Sequence, residues 1–143
     1  MRIPWMIVVL GFAGLVPFAA APLWLWLAPA SVPAWLDHAW LMYVALVAAF
    51  LAGSFWGFAL VASMGPEGKV GLLLSTVLMA MTWASLLLDF RLALCGLTFN
   101  YIMLWVADIW RGRNLDDIPG YFQLRSLLTA GALIALIARI LQL

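Results

Sequence analysis

The feature that most limits how this chain can fold is a succession of five apolar runs. Each is about as long as the 20 residues a helix needs to cross a hydrocarbon core of about 30 Å. They cover roughly residues 3–27, 40–64, 70–88, 91–110 and 121–141. In lipid every backbone N–H and C=O must be satisfied within its own segment or in a closed barrel, so uninterrupted apolar runs of this length fold as helices. The connections are short and leave no room for a soluble domain. The expectation is all-α: a single membrane domain over residues 1–143, an integral helical bundle with five transmembrane helices.

Composition closes the alternatives. Of the 143 residues, 68% are hydrophobic and 9% charged, against about 25% charged in an ordinary soluble domain. That excludes a soluble monomer, disorder, a coiled coil and a disulfide scaffold. A net charge of +1 supplies no basic face for nucleic acid. The lone cysteine, Cys95, cannot form an internal disulfide and reads as a small packed hydrophobe.

No Gly or Pro separates the third run from the fourth. A continuous helix over residues 70–110 would be about 60 Å long, twice the hydrocarbon thickness. The chain must therefore reverse, and Asp89-Phe90-Arg91 is the charged point at which a tight hairpin is expected, with Arg91 snorkelling to the headgroups. The first run has a competing reading. Arg2, the apolar stretch and Ala19-Ala-Ala21 also fit a cleaved secretory signal, but the run continues through Trp24-Leu-Trp26, which suits a spanning helix. Pro17 and Pro22 would then free backbone carbonyls that a neighbouring helix must satisfy.

Lys and Arg set the orientation. One side of a five-span bundle receives Arg2, Lys69, Arg111, Arg113 and the nearby Arg125, and the other only Arg91 and Arg139. Positive residues stay inside, so the N-terminus is expected in the cytoplasm of a bacterial inner-membrane protein, or the matrix of a mitochondrial one, with the C-terminus on the far side. Arg outnumbers Lys six to one, which hints at a GC-rich bacterial genome. Trp5, Trp24, Trp26, Trp35, Trp40, Trp105 and Trp110 fall near helix ends, as in an interfacial aromatic belt.

Two features stand out inside the runs. Small residues recur every fourth position at Ala45, Ala49, Gly53 and Gly57, and residues four apart share a helix face, so this stripe admits a close-packed helix. Packing within the chain is the preferred reading and homodimerisation the other. The second feature is Asp108 near the end of the fourth run with Arg125 just inside the fifth, at similar depth. Pairing would remove two isolated charges from lipid, so an ion pair is expected. Asn100 lies about two turns deeper, and Tyr121 sits beside Arg125. These four form a candidate polar site, which reads first as packing glue and second as part of an ion or proton path.

Other chemistry lacks its residues. His38 is the only histidine, so bis-histidine haem ligation and multi-histidine metal sites are excluded, and neither a metal site nor a cofactor is expected. Asp37 reads as the N-cap of the second helix. There is no Walker loop, dinucleotide fingerprint, HExxH or GxSxG, so no enzyme is expected. The hydroxyls of Ser54, Ser63, Ser75, Thr76, Thr82, Ser85, Thr98 and Thr129 can bond to a preceding turn's carbonyl and need no function.

Both ends of the chain resemble a known family. Ile3-Pro4 with Leu10-Gly-Phe-Ala-Gly-Leu-Val-Pro-Phe18, Phe50-Leu-Ala-Gly53, Trp56-Gly57, Trp83, Asp108 and Tyr121-Phe-Gln-Leu-Arg125 are similar to domain-of-unknown-function family 3429, which includes a mitochondrial transmembrane protein and proteobacterial relatives. The resemblance implies a small multi-helix inner-membrane protein without an assigned reaction. Phe55 stands where a histidine is expected, Gly120 where a tryptophan is, and the third helix lacks a proline ahead of Trp83. A histidine-dependent activity in that family would be missing here. The functional expectation is an accessory or assembly subunit working through contacts with other membrane proteins or copies of itself. A small oligomeric transporter or channel using Asn100, Asp108 and Arg125 is the alternative.

Overall fold

All five apolar runs form helices in the computed structural model, which describes residues 5–61, 66–114 and 121–143. Helix α1 spans Trp5–Leu27, α2 Leu36–Val61, α3 Pro66–Leu86, α4 Phe90–Asn114 and α5 Tyr121–Leu141. Each is long and apolar enough to cross a membrane, and the described residues contain no strand. The fold is an all-α bundle of five candidate spans.

Three boundaries differ from the sequence expectation by about four residues, one of them the start of α3 at Pro66 rather than near residue 70. Helix α2 begins at Leu36 rather than near residue 40, and α4 runs on to Asn114 rather than stopping near 110. Local chemistry allows the α4 extension, because only Gly112 in Arg111-Gly-Arg-Asn114 opposes helix strongly. The reversal between α3 and α4 falls at Leu87-Leu-Asp89. The Leu92 N–H donates to Asp89 Oδ1 at 3.0 Å, which makes Asp89 the cap that starts α4. After α1 a single 3-10 turn, Pro29–Ser31, is clasped by Trp24, whose indole N–H donates to Ser31 Oγ at 3.0 Å.

The helices run alternately up and down. Consecutive helices pack side by side, α1 closes the ring against α5, and α2 also touches α4 across the middle. The interior holds Phe18, Val44, Leu97, Tyr101, Leu104 and Leu136. Between helices in lipid there is little hydrophobic gain, so association rests on close packing and interhelical hydrogen bonds. Tyr101 supplies one of these, its hydroxyl donating to the Val44 carbonyl at 2.7 Å while Phe18 meets its ring edge-on at 6.1 Å.

The prolines of α1 account for another. Pro22 has no N–H to offer the Phe18 carbonyl one turn back, and Trp40 Nε1 of α2 donates to that oxygen at 2.9 Å. Close to Pro17, the Tyr43 hydroxyl donates to the Gly14 carbonyl at 2.6 Å. Trp40 is therefore not a belt residue: it is 3% exposed, drawn inward by a carbonyl that proline leaves open. Trp5, Trp26 and Trp35 are exposed as a belt requires.

Candidate functional site

Asp108 lies in the second half of α4, six residues before its end, and Arg125 in the first turns of α5, so both stand at one level near the same end of the bundle. The Arg125 Nε lies 3.0 Å from each oxygen of the Asp108 carboxylate. The rest of the guanidinium is bound to α2. One terminal nitrogen donates to Ser54 Oγ, the other reaches the Leu51 carbonyl at 3.4 Å, and the plane lies 5.4 Å from the Phe55 ring centre. Ser54 is held for this role by donating its own proton to the Leu51 carbonyl at 2.6 Å. One side chain of α5 thus joins three helices.

Arg111 belongs to the same cluster. From the sequence it is expected in the connection after the fourth helix, whereas α4 continues past it and the i,i+3 spacing carries its Nε to 3.6 Å from Asp108 Oδ1. Asp108 and Arg111 are both 0% exposed, so no open water path reaches either.

Asn100 is not brought to this cluster. Its amide nitrogen donates to Thr82 Oγ1 and lies 3.5 Å from the Leu78 carbonyl, which fastens α4 to α3. The Thr82 hydroxyl donates in turn to Leu78 at 2.9 Å, leaving its lone pairs for Asn100. Tyr121 opens α5, and its side chain lies outside the described residues.

A second ion pair stands at the opposite end. Arg139, in the last turn of α5, donates from Nε to Asp37 Oδ1 at 3.1 Å and from Nη2 to Oδ2 at 2.7 Å, with Phe90 stacked 5.0 Å beneath. Asp37 does not cap α2 as expected. It lies within the first turn, where its carboxylate faces α5. Sequence alone offered a weak signal for this pair, because charges near span ends are ordinarily solvated and the partners lie 102 residues apart.

The small-residue stripe divides. Ala45 is buried, and with Ala49 it forms the floor of a furrow against α3. A Cβ built at Gly53 or Gly57 meets nothing within 4 Å, so the intrachain seam expected at these glycines is absent among the described residues. The tight seams lie elsewhere: a Cβ at Gly96 of α4 would meet Ser85 Oγ of α3 at 2.6 Å, and one at Gly131 of α5 would meet Leu15 of α1 at 3.0 Å. Cys95 is exposed on α4 rather than packed. No group of three His, Cys, Asp or Glu suited to a metal ion occurs among the described residues.

The family model described as "Protein of unknown function (DUF3429)" matches residues 3–141. No curated protein matches the chain, and no solved structure does.

Proposed function

Because the chain belongs to the DUF3429 family, which carries no assigned reaction, we propose a function from its own geometry: an accessory or assembly subunit that acts through helix–helix contact with another membrane protein. The outward face of α2 carries this reading. Leu46, Phe50, Gly53 and Gly57 recur at the four-three-four spacing of a helix-docking seam, with two large side chains, 66% and 79% exposed, followed by two glycines at which an added Cβ would meet nothing within 4 Å among the described residues. The interior polar groups support it too, since Asp108, Arg125, Asn100 and Thr82 are bonded to neighbouring helices.

By the positive-inside rule we place the chain in a bacterial inner membrane, with the Asp108 end facing the cytoplasm and the C-terminus the periplasm. Purification in mild detergent tests the function. A stoichiometric membrane-protein partner, lost on Gly53→Leu with the monomer intact, is expected. A monodisperse protein without a partner counts against it.

One observation favours a second reading, a small transporter: a carboxylate flanked by two guanidinium groups inside candidate spans is a common element of ion pathways. Flux in proteoliposomes that disappears in Asp108→Asn would support it.

A further inference from the structure

At the end of the bundle carrying the α3–α4 turn, a cleft of about 530 Å³ opens among α2, α3, α4 and α5, within the usual range of small-molecule sites. Its polar lining is Asp37, His38 and Arg139; its apolar lining includes Leu41, Met42, Leu86 and Phe90. Met42 and Leu86 also belong to the furrow between α2 and α3, whose deeper part is formed by Ala45, Ala49, Met79 and Trp83. A polar mouth and an apolar groove thus share a wall.

We propose that this compound cleft is a binding site for one zwitterionic phospholipid of the phosphatidylethanolamine type. Three observations converge on that occupant. The first is depth: Asp37 and Arg139 stand in the first turn of α2 and the last turn of α5, where spans leave the hydrocarbon, and the neighbouring Trp35 is 62% exposed. The second is reach. Along α2, Ala45 and Ala49 lie about 12 and 18 Å below Asp37 at 1.5 Å per residue, close to the half-thickness of about 15 Å that one leaflet's acyl chain fills.

The third is charge. Asp37 occupies Nε and Nη2 of Arg139 and leaves Nη1 without a hydrogen bond among the described residues. That donor and the exposed His38 ring N–H suit the phosphodiester. The Asp37 side chain is 37% exposed and retains lone pairs for an ammonium group. The mouth therefore offers both signs of charge side by side, which fits a headgroup carrying both and disfavours a purely anionic one. The furrow borders the α2 docking face at Leu46, whereas the charged mouth and Ala49 share no residue with that face.

Native mass spectrometry of the purified full chain, titrated with dioleoyl phosphatidylethanolamine or dioleoyl phosphatidylglycerol, tests the assignment. One ethanolamine lipid per chain is expected, held about tenfold more tightly than the glycerol lipid, the size of one good charge-assisted contact. Asp37→Asn should remove that preference or reverse it toward the anionic lipid. Because this variant also alters the Arg139 pair, Ala49→Phe serves as the second: it fills the furrow, leaves both charges in place, and should lower retention of the ethanolamine lipid about tenfold. Equal retention of the two lipids by the unsubstituted chain, detergent adducts alone, or undiminished retention in a helical Ala49→Phe protein would each overturn the proposal.

Discussion

Removing the Asp108 carboxylate would leave Arg125 and Arg111 facing each other across a site that is essentially closed to water. Loss of one member of a buried pair costs about 3–5 kcal/mol, because the remaining charge keeps its desolvation penalty. Asp108→Ala is therefore expected to lower stability by about that amount in thermal or SDS unfolding of the purified protein. Exchanging the charges, as Asp108→Arg with Arg125→Asp, should not restore it, since the new arginine would lie one turn from Arg111. Arg139→Gln offers a contrast. The Asp37 it leaves behind is 37% exposed and can be solvated, so a loss of about 1 kcal/mol is expected in the same assay. Asp108 and Arg125 were legible in the sequence because a charge inside an apolar run is conspicuous. Arg111, Asp37 and Arg139 were not, because each falls near a span end, where water is the default partner and only the fold shows that another helix has replaced it.

Elements were legible as units but not in how they face one another. Pro17 and Pro22 announced that α1 would present open carbonyls, yet nothing local indicates that Trp40, placed at a helix start like a belt residue, turns inward to one of them. The proline and the indole should be energetically coupled. Trp40→Phe leaves the Phe18 carbonyl without this donor and is expected to cost about 1–3 kcal/mol. In a Pro22→Ala background the restored backbone N–H can serve that carbonyl, so the cost of Trp40→Phe should shrink by about 1 kcal/mol in a double-mutant cycle. Equal costs in both backgrounds would show that the indole contributes packing alone. The glycines teach the same point. A GxxxG spacing reports a smooth face without saying toward what it points. Gly53 faces open space, while Gly96, with no motif around it, sits where α4 meets Ser85 of α3. Gly96→Leu should prevent recovery of a folded monomer, and Gly53→Leu should leave monomer stability within about 0.5 kcal/mol, as surface changes usually do.

At the level of the molecule, short connections make consecutive helices neighbours, which the sequence conveys. Closure of α1 against α5 and the crossing of α2 by α4 depend on contacts such as Gln142 with the Pro22 carbonyl and Tyr101 with Val44, and these are invisible until the helices are placed. Packing also changes what the orientation argument rests on. Arg111 and Arg125 are buried in the bundle rather than displayed to headgroups, so among the described side chains the contrast lies between exposed Lys69 at one end and exposed Arg91 at the other. The rule counts residues by position near span ends, because it reflects charges resisting translocation before packing is complete. Buried arginines therefore still weigh toward the Asp108 end. In a Cys95→Ala background, Arg91→Cys should react with a membrane-impermeant maleimide in intact spheroplasts, and Lys69→Cys only after the membrane is opened. The reverse pattern would invert the bundle and move the lipid cleft at Asp37 and Arg139 to the cytoplasmic leaflet.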